Sequence, residues 1–382
     1  IGRSLDFLSS RLRDVDPRHR SMRAVFETSW QLLTAEEQQI LAALSVFPAT
    51  FTAAAAEQIA AATLFELDLL CEKSLLQQQR EPERYGLHSL VRQFAADKLG
   101  EQTAAVNQRF ADYFYRYAQA NHTNYDALQP EWRNLAAGVA QAHAQGAWQT
   151  VLDFVRLLDE PWFRQIRLRE MREGLTLALE AAAQLADQAA VAQMRLRLGE
   201  IEMELNEYAT AEAHLEAALG ELMRLEDSLG IAQANYLSGR IKMEQTQDEV
   251  AFKLFETSKR LFAEENDLMG VAKNLNLIAM CTIKQQSDLQ AGYTILTEAA
   301  ALQQDRPPSA IYIETLRYLA RVKGIMGVYD AAEEDLIEAT TASQTLNDAG
   351  EYAAVLFERI VLCRRQNQIE AALQFAAECL TQ

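Results

Sequence analysis

One pattern returns every 40 or 41 residues between about Val191 and Gln382, and it restricts that half of the chain to a stacked architecture. The first full copy reads Leu198-Gly199, Tyr208, Ala211, Leu215 and Ala218, and the second Gly239, Asp248, Ala251, Phe255 and Ser258. Ala279, Asp288, Ala291 and Ile295 make a third copy, and Leu319-Ala320, Tyr329, Ala332, Leu336 and Ala339 a fourth, slipped by one. A small residue separates successive copies at Ala190, Gly230, Gly270, Ala310 and Gly350. A fixed period of this size means supersecondary units that cannot bury an apolar face alone and must stack. Small residues twelve positions apart, followed by apolar residues at i+4 and i+7, describe two helices whose backbones touch at Gly199 and Ala211.

At these residues the repeat resembles the tetratricopeptide repeat, with a small residue, an aromatic, then Ala-x3-large-x2-Ala. Against that repeat's usual period of about 34 residues, the extra residues are expected in longer helices and in Asp-x-x-Gly turns at Asp227–Gly230 and Asp267–Gly270. Glu298 and Glu338 fall near positions where small residues are expected, and a fifth copy, Gln368, Ala371, Ala372 and Phe375, loses register. The first helix of each pair would line a groove, which places Arg197 and Glu200, Tyr236 and Arg240, Asn276 and Met280, then Arg317 and Arg321 there. Arginines and a tyrosine on that surface could hold a peptide or an anionic group.

Nearly half of the 382 residues are apolar and only 7 are proline, which favours an all-helical chain of two or three domains. No apolar run is long enough to span a membrane, and the chain opens at Ile1 without a signal peptide, in sequence that looks internal. It reads as a piece of a longer protein. Cys71, Cys281, Cys363 and Cys379 form no C-x-x-C, so neither a disulfide framework nor a zinc site is expected and a cytoplasmic setting is. Of the net charge of −18, residues 1–100 carry −2 and the remainder −16, so the repeats should repel nucleic acid and anionic lipid.

Residues 1–23 read as a polar linker with six arginines. A helix from Met22 to Leu33 would present Val25, Phe26, Ser29, Trp30 and Leu33 on one face. Thr34–Glu37 and Thr63–Glu66 are capping boxes, and Thr52 can cap a helix through Ile59. Strands at Ser74–Gln78 and Arg84–Leu87 flank the turn Arg80–Glu83, and a helix follows from Ser89. Three helices and then a hairpin is the order of a winged helix. The helix that would enter a major groove, Leu64 to Lys73, carries Glu66, Asp68 and Glu72 against Lys73, and the wing (Arg80, Glu81, Glu83, Arg84) is neutral. Phosphate contacts need the opposite charge, which argues against DNA reading through this segment.

Arg18-His-Arg-Ser21, Phe26-x3-Trp30, Leu44-Ser-Val-Phe47, Phe51-Thr52, Glu72-Lys-Ser-Leu-Leu76 and Tyr85-x-Leu-His88-x-Leu-Val-Arg-Gln-Phe94 resemble the winged-helix segment of bacterial signal-transduction ATPases with numerous domains, the STAND or NB-ARC class. Glu131-x2-Asn134-Leu135, Gly146-x-Trp148, Trp162 and Glu173-Gly174-Leu175 are similar to the helices these proteins place between switch and repeats. The resemblance implies an all-α chain with a linker (1–23), a winged helix (24–100), a bridging segment with a degenerate repeat (101–190) and a right-handed α-solenoid of tetratricopeptide-like repeats (191–382). It also implies that His88, within Leu87-His88-Ser89, touches the phosphate of ADP held by an upstream nucleotide-binding domain, with ATP and Mg in the full-length protein. The family's aspartate is Ser89 here, a plausible N-cap beside an anion-friendly helix end. The implied partners are that upstream domain and an inducer on the repeats, with oligomerisation on activation.

No G-x-x-x-x-G-K-[ST], G-x-S-x-G or H-E-x-x-H motif occurs, so this portion reads as non-catalytic and cofactor-free. Three functions remain open: an inducer sensor coupled to a nucleotide switch, a constitutive scaffold, and a DNA-binding transcription factor.

Overall fold

The computed structural model describes residues 22–80, 83–304 and 306–380. The linker expected over 1–23, its Arg18–Ser21 motif and Glu81 of the wing therefore lie outside the described residues, Met22 and Arg23 excepted. Contacts divide the chain into two compact units, one ending at Ala190 and the other starting at Val191.

In the first unit, α1 (Met22–Gln31), α2 (Ala35–Leu44), α3 (Ala53–Ala60) and α4 (Leu64–Glu72) precede a hairpin of β1 (Gln77–Arg80) and β2 (Glu83–Gly86), and α5 (Ser89–Lys98) follows. Thr34 and Glu37 exchange the two bonds of a capping box, and the Thr52 hydroxyl accepts from the Ala55 amide. At Thr63 the cap is made by Glu66, whose carboxylate accepts from the Thr63 amide at 2.7 Å. Phe26 and Trp30 pack on Phe94, each with ring centroids 5.8 Å apart, but Val25 is 59% exposed and does not share their buried face. The strands begin and end earlier or later than their composition suggests. Leu75 and Leu76 still donate to the Leu70 carbonyl as the chain leaves α4, so pairing starts only at Gln77.

Among the described residues five further α-helices follow, α6 (Thr103–Asn121), α7 (Tyr125–Leu128), α8 (Trp132–Ala144), α9 (Trp148–Arg164) and α10 (Leu168–Gln184), with 3-10 turns at Gly100–Gln102 and Gln129–Glu131. Phe47 stacks on Phe51 at 4.2 Å and meets Phe110 of α6 edge-on at 5.4 Å, so residues 24–100 and 101–190 share an aromatic core. Gly174 lets the Trp162 ring lie against α10; a Cβ there would approach the ring to 2.7 Å.

The second unit is helical throughout its described residues: α11 (Gln188–Glu204), α12 (Tyr208–Leu225), α13 (Ser228–Glu244), α14 (Asp248–Glu264), α15 (Leu268–Gln286), α16 (Leu289–Ala301), α17 (Ala310–Met326), α18 (Tyr329–Leu346), α19 (Ala349–Arg365) and α20 (Ile369–Cys379). Odd-numbered members are the first helices of successive pairs. A Cβ on Gly199 would lie 3.4 Å from the Ala211 carbonyl and 2.7 Å from Leu215, so the helices meet where the small residues recur. Asp227 and Asp267 are N-caps rather than turn residues, accepting from the Gly230 and Gly270 amides at 2.9 Å. The extra residues of the repeat go into helices, most of them 17 to 19 residues long. Glu298 and Glu338 are exposed, and the small residues at the buried positions are Ala299 and Ala339, one place on.

Helix ends follow a stricter rule than the apolar pattern. Left-handed residues close successive helices at Ile166, Ala186, Asn206, Glu226, Thr246 and Asn266, twenty apart, and again at Asn347 and Asn367. A backbone reversal needs one residue at positive φ, and asparagine tolerates it best after glycine.

Candidate ligand groove on the first helices

The first helices of the second unit touch one another directly, α15 against α17 and α17 against α19. Polar side chains bridge neighbours along this face. Arg240 on α13 reaches Glu204 on α11 at 3.2 Å, Lys273 on α15 reaches the Gln233 oxygen on α13 at 2.5 Å, and Asn276 donates to Glu314 on α17 at 3.3 Å. Arg317 and Arg321 reach Glu351 (3.4 Å) and Glu358 (Nε at 3.2 Å) on α19.

The expected groove residues thus separate into three kinds. Arg197, Arg240, Arg317 and Arg321 lie on first helices, but each has a glutamate partner, Glu200 serving Arg197 on the same helix. They are not a set of bare cations, which corrects the expectation of a ready anion site. The missed signal is an acid on the neighbouring first helix: Glu204, Glu351 and Glu358 fall 34 to 37 residues from their arginines. Asn276 is wholly buried, accepting from Thr315 at 3.0 Å, and Thr315 in turn accepts from Gln303, so it braces α15 against α17 instead of facing a ligand. Tyr236 and Met280 are half-buried and remain on the face.

Charges on this face act across an intervening helix. Glu314 on α17 raises the pKa of Tyr236 on α13, after the larger effect of burial, and Glu200 on α11 acts on Lys273 on α15. Charge is also segregated: the five first helices carry 12 Lys and Arg against 7 Asp and Glu, the five second helices 4 against 15. The excess is not confined to one face: Lys242, Lys284, Lys323 and Arg359 pair with acids of second helices, and on the first-helix face Arg197, Arg240, Lys273, Arg317 and Arg321 stand among Glu200, Glu204, Glu314, Glu351 and Glu358.

Burial pushes the Lys273 ammonium down from its ordinary 10.5 to about 8, with Asp267 and Glu200 opposing. The unfolded chain then binds more protons between these values, so this residue's contribution to stability grows as pH rises from about 8 to about 10.5. The urea midpoint of the native chain should accordingly rise relative to that of Lys273→Met between about pH 8 and 10. A gap that stays constant would overturn the burial account.

In the first unit His88 is itself the N-cap of α5, its Nδ1 accepting from the Leu90 amide at 3.4 Å, and Ser89 is the first helical residue. This corrects the placing of the cap at Ser89: His88 has the extended ψ of 141° that a cap needs. The ring is exposed at a helix start. On α4, Leu64 and Phe65 are exposed beside Asp68 and Glu72, and Lys73 is paired with Glu37. Arg84, counted in the wing, is instead 5% exposed and buried in an ion pair with Glu131 at 2.6 Å. Arg84 also donates to Thr50, and Asn134 donates to Glu131 at 2.6 Å and to the Thr50 carbonyl at 2.9 Å. Among the described residues no three His, Cys, Asp or Glu converge to hold a metal, and no helix is long and apolar enough to cross a membrane.

No family model matches the chain. Curated relatives from Mycobacterium bovis and Mycobacterium tuberculosis, named as candidate HTH-type transcriptional regulators, are 30% identical over 181 residues, which cover 43% of this chain and 20% of theirs. The chain thus matches about a fifth of their length. Among solved structures, aspartyl phosphate phosphatase F of Bacillus subtilis is similar with a TM-score of 0.53, 11% identity and 94% of each chain covered. NprR in complex with its cognate peptide NprX gives 0.53 at 15% identity over 75% of this chain and 83% of that one. A Rap protein complexed with competence and sporulation factor gives 0.51 at 15% identity over 94% and 96%. At such identities the likeness establishes the fold, an all-α array of tetratricopeptide-like repeats.

Proposed function

We propose that this chain is the non-catalytic sensor portion of a larger cytoplasmic regulator, in which the first-helix face of residues 191–382 binds an inducer peptide. The observation that carries the reading is the first-helix face itself, where Arg240, Arg317 and Arg321 bridge neighbouring first helices and Tyr236, Lys273 and Met280 lie among them, on first helices that carry 12 Lys and Arg against 7 Asp and Glu. NprR, named with its cognate peptide, and the Rap protein, named with competence and sporulation factor, support it by analogy of fold. Residues 24–100 then act as a winged helix that reports occupancy of the repeats to an upstream nucleotide-binding domain, with His88 near the ADP phosphate. An exposed ring at a helix start suits that role. The inducer must favour the open state differentially, since equal affinity for both states shifts nothing.

The test is calorimetric titration of degenerate pentapeptides into the protein joined to its nucleotide-binding domain, with and without ADP. Binding should weaken ADP affinity by the factor by which ADP weakens peptide affinity. His88→Ala should loosen ADP about tenfold or more, the scale of one hydrogen bond to a charged group. Unchanged ADP affinity would remove His88 from the switch. Identical peptide binding in both nucleotide states would favour a constitutive scaffold instead. The names of the mycobacterial relatives favour a transcription-factor reading; salt-dependent duplex binding by the chain would support it, against the acidic, apolar surface of α4.

A further inference from the structure

Lys273 differs from the other cations of the first-helix face. Arg197, Arg240, Arg317 and Arg321 each reach a glutamate. The Lys273 ammonium, among the described residues, meets neutral groups, the Gln233 side-chain oxygen at 2.5 Å and the rings of Tyr236 and Phe262, each with its centroid 4.5 Å away. Among the described residues no carboxylate lies within ion-pair distance of it; Asp267 at the start of α15 and Glu200 on α11 act from farther off, and Arg240 on α13 opposes them. The Tyr236 hydroxyl, carried on the ring that the ammonium overlies, has no hydrogen-bond partner among the described residues. A largely desolvated ammonium without a counter-ion is costly unless a ligand supplies the charge.

We propose that Lys273, with the Tyr236 hydroxyl and Gln233, forms a subsite for a single carboxylate, the C-terminal carboxylate of a peptide ligand. Cation and phenol supply the charge-assisted donors a carboxylate accepts. Burial and Glu314 keep the phenol protonated, so it stays a donor over the ordinary pH range. Glu200, Glu204 and Glu314 around the site disfavour a more highly charged group such as a phosphate dianion. The proposal takes the peptide reading given above as its premise, and its test separates the two.

The full chain is labelled with 13Cε-lysine, with Lys273 assigned from Lys273→Met, and titrated with N-acetylglycine and with N-acetylglycinamide. N-acetylglycine should raise the Lys273 titration midpoint by about one pH unit, equivalent to about tenfold tighter binding to the charged form, and the amide should leave it in place. Tyr236→Phe should weaken the acetylglycine effect severalfold. A midpoint that responds equally to acid and amide would overturn the subsite. In a second arm, pentapeptides built only from uncharged residues are compared as free acids and C-terminal amides by saturation-transfer NMR, with amides expected to bind about tenfold more weakly. If no pentapeptide binds while Lys273 responds to acetylglycine, the peptide reading falls and the subsite stands. If acids and amides bind alike and Lys273→Met binds both as the native chain does, the subsite falls and the peptide reading stands.

Discussion

Glu131→Ala is expected to destabilise the unit ending at Ala190 by about 3 to 5 kcal/mol, the scale for leaving one member of a buried ion pair uncompensated. For a unit of this size that lowers its melting midpoint by about 10 °C. Glu131 and Arg84 are 4% and 5% exposed and their atoms are 2.6 Å apart, so the remaining guanidinium has no water to turn to. The loss extends beyond one pair. Asn134 donates to Glu131 and to the Thr50 carbonyl, and Arg84 donates to Thr50 as well, so the hairpin, the loop before α3 and the start of α8 are tied through one carboxylate. Replacing both partners, as Arg84→Met with Glu131→Leu, should recover most of the loss, because no unpaired charge remains. Calorimetry on the three proteins decides it. A single variant that melts within about 2 °C of the native chain would mean the pair contributes no more than an exposed one.

The second large effect is expected at Phe255→Ala, about 3 to 5 kcal/mol from lost burial and the cavity left behind. Phe255 is fully buried on α14, packs with Ala251, Leu277, Ile278 and Cys281, and fills the space opened by Gly239, where a Cβ would lie 2.6 Å from its ring. In a stacked array each pair contacts only its neighbours, so the damage should stay local. Hydrogen exchange should accelerate most in α13 to α15 and least in α2, α3 and α5. Uniform acceleration along the whole chain would contradict the nearest-neighbour picture. The local alternative, a substitution at exposed Phe357, should change little, since that side chain is 58% exposed.

The helical array was legible because its signal is geometric and repeats: Gly199 against Ala211 fixes where two backbones approach, and Gly239 leaves the space that the Phe255 ring fills. The caps at Thr34 and Thr52 were legible too, since a hydroxyl and the amides it serves are separated by a few bonds. A sharper version of the period was present but unread in Asn206, Asn266, Asn347 and Asn367, which close helices in the left-handed conformation. The state of the groove was less accessible. Sequence placed Arg240, Arg317 and Arg321 on the correct helices, yet whether they are bare or paired depends on glutamates of the neighbouring first helix. Arg84 is the clearest case, a charged residue in a hairpin that reads as solvated and is enclosed by Thr50, Glu131 and Asn134.

The amino-acid order therefore determined the helices, their caps, their pairing and the charge difference between first and second helices, because each depends on residues within about one repeat. Only the tertiary structure decided which cations are neutralised, that Asn276 is interior, and that Lys273 meets rings and an amide but, among the described residues, no carboxylate. Ion pairing and burial are set by distances between helices that the chain visits dozens of residues apart, and an ångström or two there separates a paired guanidinium from an available one.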